Sequence, residues 1–358
     1  MAENNMIADA LKLIEEKLSF NSKHYYLIRT DQGRNYNQFA ENNFVALNYT
    51  NHPIGYLSEI IRNYTDSNDR VKKIREKLLD FDQHDIINLT SRNGERMEGG
   101  TLTLTANQIY TVAYGIQNGD IVIIPDKNSH RIRIGRITDD CLASDIEAFS
   151  YARHVQWIKE IPKSRLDPCL YRALGANQAV CDVTKYAEII ERNYTSYFSV
   201  KDTYFYVLTV NTPNVSAMQL TGTIYSLLQI AQSISNDFNL GIDIEAVNFT
   251  INVNSPGKFS FASSAAAAIL IMATSSSIFG GDIRYDEFET STDGAFNTLV
   301  NYINEYRRCS QALSHKDQLF QRALNSLEIK AVEDINNAVD EVEVELEEEV
   351  DGNTNLVE

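Results

Sequence analysis

Five successive residues with no polar face, Ile121-Val122-Ile123-Ile124-Pro125, constrain this chain more than any other stretch. Such a run predicts a strand covered on both sides, and so a sheet with packed layers above and below. The next segment, His130–Ile137, alternates arginine with isoleucine, the pattern of a strand with one wet face. Ile132 and Ile134 are expected to point inward, and Gly135, which breaks the alternation, to mark a bulge. The resulting hairpin places Lys127, Arg131, Arg133 and Arg136 within ten residues of an otherwise acidic chain.

That acidity is local. The net charge is −17, but eleven acidic and no basic residues follow Lys330, whereas residues 23–193 hold twenty-two of each sign. The overall charge therefore does not exclude an anionic ligand for the N-terminal half. Four scattered cysteines, with no Cys-x-x-Cys pair, read as reduced thiols of a cytoplasmic protein. No signal peptide is visible, because residues 1–20 are amphipathic rather than continuously apolar.

At 358 residues, two domains with appendages are expected. Residues 1–22 contain an amphipathic helix, with Ile7, Ala10, Leu11, Ile14 and Leu18 on one face, which needs a partner surface. Residues 23–193 read as mixed α/β. "HYYLIRT", "NFVALNY" and "RHVQWIKEIP" are strand candidates, and "IGYLSEIIRN" and "DRVKKIREKLL" are helix candidates. Thr105 and Gln108 have capping-box spacing before a helical repeat of Ile109, Val112, Ala113 and Ile116. Short bent strands with two or three outer helices fit a small barrel, giving an α+β fold class.

Residues 194–330 suggest a small α/β layer with C-terminal helices. "TYFYVLTVN", a helix capped by Ser216 with Gln219, and "IEAVNFTINVN" follow one another, with parallel pairing one option. Phe259–Gly281 is free of charge for twenty-three residues and reads either as a buried or interface helix or as a membrane-inserting segment. Helices are expected at 293–312 and 316–329, and a disordered acidic tail at 331–358.

Enzymatic signatures are missing. There is no Gly-x-Ser-x-Gly elbow and no Gly-x-x-x-x-Gly-Lys loop. The one acid-x-Lys triplet, Glu328-Ile329-Lys330, falls at an expected helix end. No catalytic residue, metal site or cofactor is assigned. A divergent metal-dependent nuclease built from Asp243, Glu245, Asp282, Asp286 or Glu287 remains an alternative.

Aromatics and basic residues gather in the N-terminal half. Tyr25, Tyr26, Tyr36, Phe39 and Trp157 offer planar faces for base stacking, worth about 1–3 kcal/mol per base. Arg29, Arg34, Lys127, Arg131, Arg133, Arg136 and Arg153 offer phosphate contacts. On charge alone, these arginines need do no more than solvate a wet strand.

The order of the motifs adds to this reading. "HYYLIRTDQGRNYNQFAENNFVALNY", then Gly119-Asp120 with Pro125, then Ile134-Gly135-Arg136-Ile137, then Arg153, Val155 and Trp157, resembles the EVE-like (PUA superfamily) N-terminal module of Mrr-type restriction proteins. The resemblance spans roughly residues 23–190. It implies a pseudo-barrel whose mouth holds nucleic acid, DNA favoured over RNA, often through a flipped, modified base. Carried over by motif position, Tyr26, Tyr36 and Trp157 are pocket candidates, Arg29, Asp31 and Asn42 supply polar edges, and the Lys127–Arg136 hairpin tracks phosphates. Tyr49 stands where the family usually has Trp, and Asn48 where it has Gly. The Mrr nuclease motif has no counterpart, so the C-terminal half is expected to serve assembly or effector output in a phage-defence protein. Its terminal helices, at 5–19 and 293–329, would mediate oligomerisation or partner binding. A membrane-perturbing effector acting through residues 259–281 is a second reading.

Overall fold

The computed structural model describes residues 3–17, 23–49, 52–90, 94, 96–140, 142–143, 146, 149–176, 178–210, 217–252, 257–279, 292, 294–309 and 329–331. The chain divides into two compact units, residues 23–187, and residues 1–22 with 188–358.

The 23–187 unit is built on a six-stranded sheet that curls into a half-barrel. Its strands are β1 (Tyr25–Ile28), β2 (Phe44–Ala46), β3 (Ile121–Pro125), β4 (Arg131–Ile137), β5 (Ala152–Pro162) and β6 (Val180–Asp182), in the order β2-β5-β4-β3-β1-β6. Only β1 and β3 pair in parallel. All five residues of β3 are buried, which a central strand with no polar face requires. One sheet face carries Tyr26, Ile28, Val122, Ile124 and Ile137. It packs against α2 (Tyr36–Glu41), α3 (Gly55–Asn63), α4 (Ser67–Gln83) and α5 (Gly99–Tyr110), through residues such as Phe39, Leu57, Ile74 and Leu102.

Ile132 and Ile134 are buried, but on the other face. The register sets Ile134 against Ile123 and Ile132 against Pro125, alternate to Val122 and Ile124. The bulge occurs where Gly135 predicts it, with Ile158 of β5 as the extra residue: Ile134 pairs with Lys159 and Gly135 with Trp157. A Cβ on Gly135 would meet Val155 Cγ1 at 2.3 Å and Trp157 Cε3 at 2.6 Å, so only glycine admits the Trp157 ring here. The bulge also puts Trp157 and Glu160, three residues apart, on the same sheet face.

Asp66 caps α4 by accepting the backbone N–H groups of Asn68 (2.8 Å) and Asp69 (3.1 Å). The capping box read at Thr105 and Gln108 is not one. The helix already begins at Gly99, and both residues are buried inside it because Leu102, Ala106 and Ile109 dock the whole segment on the core. The chain then widens into a π turn, Thr111–Gly115, closed by Ile116 N–H to Thr111 O at 2.8 Å. Short α6 (Cys169–Leu174) precedes β6, and α7 (Ala187–Glu191) begins where the units divide.

In the other unit, β7 (Tyr197–Val200), β8 (Thr203–Val210), β9 (Asn248–Asn252), β10 (Gly257–Ser263) and β11 (Ile329–Ala331) form a sheet whose pairs are all antiparallel. The β8 and β9 strands do run parallel, as their strand-helix-strand order allows, but β10 lies between them. The supposed helix end at Glu328-Ile329-Lys330 is thus an edge strand from Ile329 onward, since Ile329 pairs with Val210.

The uncharged Phe259–Gly281 run is not one helix. Phe259–Ser263 lies within β10, and α9 (Ala265–Phe279) follows. Ala267 to Ala273 are at most 1% exposed, surrounded by Ile14, Ile230, Ile234, Phe296 and Leu299. A helix apolar all round belongs in a core. At 15 residues it is about 22 Å long, short of a bilayer's hydrocarbon thickness of about 30 Å. Among the described residues, no helix is long and apolar enough to cross a membrane.

The N-terminal helix α1 (Glu3–Lys17) is not a separate appendage. Ile7, Ala10, Leu11 and Ile14 join this same core with α8 (Ala217–Asp237) and the helix Ala295–Cys309. The partner surface its apolar face needed is in its own chain. The Ser216 cap, most of the helix read at 316–329 and all but the first residue of the acidic tail lie outside the described residues.

Candidate nucleic-acid interface

The basic hairpin is closed by Asp126, whose Oδ1 accepts the Arg131 N–H at 2.9 Å. Arg131 and Arg133 share one face of β4, and Arg136 lies on the opposite one, because the β3–β4 register is unbroken. The three arginines therefore do not form one phosphate-facing row. Arg131 Nη1 is 2.8 Å from Glu160 Oε1, and Arg133 Nη2 is 2.6 Å from Oε2. The Tyr36 hydroxyl donates to that same Oε2 at 2.6 Å, and the Arg133 guanidinium lies over the Tyr36 ring at 5.8 Å. Glu160 and Asp126 thus balance the charge of Arg131 and Arg133 within the fold.

Burial alone would raise the Glu160 carboxyl, but hydrogen bonds from Tyr36 and Arg133 and the charges of Arg133 and Arg131 outweigh it and hold the group below its ordinary range. A carboxyl held low in the folded state stabilises the fold above its unfolded pKa. That contribution is lost as pH falls from about 4.3, the ordinary value, down through the folded pKa. Acid unfolding followed by Trp157 fluorescence is expected to show a loss of stability below about pH 4.3 that Glu160→Gln makes shallower. An unchanged acid limb in the variant would count against the network.

Two further arginines cap helix ends. Arg153 is fully buried. Its Nη1 donates to Val112 O (3.1 Å) and Ile116 O (2.7 Å) at the π turn, its Nε to Asp139 Oδ1 (2.6 Å) and its Nη2 to Asp139 O (2.6 Å). Its assignment as a phosphate contact is corrected, because the guanidinium satisfies carbonyls that a helix end leaves without partners. Arg29 plays a similar part at α6, with Nε donating to Ala176 O at 2.9 Å and Nη2 to Leu174 O and Ala176 O.

Tyr26 and Tyr36 are core residues rather than open stacking faces, at 7% and 4% exposure. The Tyr26 hydroxyl donates to Gly115 O at 3.3 Å, and burial with Asp120 and Asp182 nearby pushes its pKa up to about 12. Trp157 is half-buried and donates from Nε1 to Phe39 O at 3.2 Å. Asn42 is exposed, its amide bonded back to Gln38 O at 2.8 Å. Lys127 and Arg136 are exposed and make no ion pair with described residues.

The same unit contains a cleft of about 1330 Å³. One wall is the β1–α2 turn, where Asp31, Gln32 and Gly33 have successive positive φ values of 52°, 59° and 89°. Thr30 anchors the turn through a 2.6 Å hydrogen bond to Pro125 O, and Asp31 is paired with Arg34 at 3.1 Å. Leu47, Asn48 and Tyr49, following β2, form a second wall. The Tyr49 ring stacks on His52, with centroids 5.0 Å apart and planes 29° apart. The His52 backbone N–H donates to Ser150 Oγ at 2.7 Å, and burial lowers the imidazole pKa, favouring the neutral ring. The segment 85–90 and Thr101, Thr105 and Gln108 of α5 complete the lining.

Of the residues assigned from sequence, Arg29 and Asp31 reach this cleft and the hairpin does not. Gln32, His52 and Gln108 were missed. Tyr49 was visible only as a departure from the family's Trp. Their common signal, proximity to the ends of the first two strands, needs the fold to be seen. Among the described residues, no group of three or more His, Cys, Asp or Glu could hold a metal ion. Of the nuclease candidates, Asp243 accepts the N–H groups of Glu245 and Ala246, while Asp282, Asp286 and Glu287 lie outside the described residues.

A family model described as Domain of unknown function (DUF8426) matches residues 25–174, within the 23–187 unit. No curated protein and no solved structure matches the chain.

Proposed function

We propose that residues 23–187 form an EVE-like, PUA-type nucleic-acid sensor whose cleft receives a base, and that the other unit provides assembly or a non-nucleolytic output in a defence-type protein. The observation that carries this reading is the convergence of the resemblance-bearing segments on one cleft. Arg29, Asp31 and Gln32, following the first strand, face it together with Leu47, Asn48 and Tyr49, following the second. The turn between β1 and α2 holds two non-glycine residues at positive φ, the kind of stored backbone strain that recurs at ligand sites. The Tyr49–His52 stack supplies a planar wall. Sequence-independent affinity then falls to Lys127 and Arg136 rather than to Arg131 and Arg133.

The test is fluorescence anisotropy of the full chain with labelled DNA and RNA between about 50 and 200 mM salt. Tyr49→Ala is expected to weaken binding by about 5- to 150-fold, the equivalent of losing one stacked base. Lys127→Glu and Arg136→Glu are each expected to lower the salt slope by about 1. If wild type binds no single- or double-stranded DNA or RNA, the proposal fails.

A further inference from the structure

We infer that Gln108 is the residue that reads the edge of the base in the cleft, and that the ligand there is an uncharged ring bearing a hydrogen-bond donor beside an acceptor. This inference rests on the base-binding reading above. Gln108 sits in the last turn of α5, where a glutamine commonly turns to solvent, yet it is 8% exposed and lines the cleft. Its side-chain amide makes no hydrogen bond with the protein among the described residues, and it is not one of the unpaired polar atoms wholly cut off from solvent, so a ligand can reach it. Two neighbouring polar groups on the lining are engaged: Thr105 Oγ1 donates to Met97 Sδ at 3.6 Å, and Asp82 accepts from Leu89 N–H at 2.9 Å and from Arg96 at 2.6 Å. Gln108 is therefore a sheltered amide with both its functions available toward the cavity.

Charge narrows the ligand class. Among the described lining residues Arg29 is the one Lys or Arg, and its Nε and Nη2 are committed to the α6 carbonyls. Asp31, Asp82 and Asp85 line the same cavity. Asp31 and Asp82 are themselves paired with Arg34 and Arg96, so a phosphate would find no uncommitted cation on the described lining, whereas a neutral heterocycle needs none. A carboxamide presents a carbonyl acceptor and an NH₂ donor side by side, which matches the paired donor and acceptor on a base edge, as in glutamine–adenine recognition. Tyr49 and His52 would cover the ring face while Gln108 takes the edge.

The experiment uses the full chain and labelled strands of about 15 nucleotides: homopolymers of dA, dC, dT, rA, rC and rU, and a DNA strand of abasic tetrahydrofuran sites. Wild type is expected to prefer at least one base-bearing strand over the abasic strand by about 10- to 100-fold, and Gln108→Leu to reduce that preference by at least about tenfold. The near-isosteric Gln108→Glu, which removes the NH₂ donor and tests the role should the leucine variant fold poorly, is expected to change the order of preference among bases. If both variants keep the wild-type ratio and order, Gln108 does not read the base, and the sensor reading survives. If wild type binds base-bearing and abasic strands equally, or binds none, the base-binding reading falls and this inference with it.

Discussion

Arg153→Ala is expected to remove about 3–5 kcal/mol of stability from the 23–187 unit, as breaking a buried ion pair does when one partner is left behind. The side chain has no solvent exposure and holds together two distant segments: the π turn at Val112 and Ile116, and Asp139 through both its carboxylate and its carbonyl. Asp139 also accepts the His154 N–H at 2.8 Å, so the loss would propagate along β5. Arg153→Lys is expected to recover only part of it, because a single ammonium cannot reproduce the planar fork that reaches both carbonyls and the carboxylate. Urea unfolding followed by fluorescence of Trp157, the chain's one Trp, reports on this unit. A cost under about 1 kcal/mol, the range of an exposed ion pair, would show that the cluster is not the anchor described.

Gly33→Ala is expected to cost at least about 2 kcal/mol and to weaken oligonucleotide binding with it. Two effects combine. The φ of 89° is strained for any L side chain, and a Cβ would lie 2.4 Å from Lys127 N and 2.6 Å from Lys127 Cα, backbone atoms that cannot swing aside. Relief would shift the Asp31–Gln32 wall of the cleft or the start of the hairpin. Gly119→Ala is the natural control, since Gly119 has a φ of 90° with nothing within 4 Å of an added Cβ. It carries the conformational strain without the collision. Equal melting temperatures for the two variants would refute the close packing of the turn on Lys127.

Much of the 23–187 unit was legible because its elements announce themselves locally. The five apolar residues of β3 could only be an inner strand, Val71, Ile74 and Leu78 could only be one face of a helix, and Gly135 marked a bulge. Where local reading went astray, a local pattern had two meanings. Thr105 and Gln108 have capping-box spacing but lie inside a helix, and an uncharged run long enough for a bilayer is a strand followed by a core helix.

The candidate site was less legible because the roles of charged residues depend on remote partners. Arg131 and Arg133 look available in sequence until Glu160, 29 and 27 residues away, is brought across β4–β5. Arg153 looks like a strand arginine until Ile116, 37 residues earlier, is turned toward it. By itself, the sequence determined which segments bury a face, where β1 to β5, β8 and β9 lie, and that the acidity belongs largely to the tail. Only the tertiary structure decided that α1 completes the core of the C-terminal unit, that β8 and β9 are separated by β10, which arginines are neutralised, and that Tyr49, His52 and Gln108 share a cleft. The reason is physical: hydrophobic periodicity records whether a side chain faces water, and carries no record of which distant group it will meet when it does not.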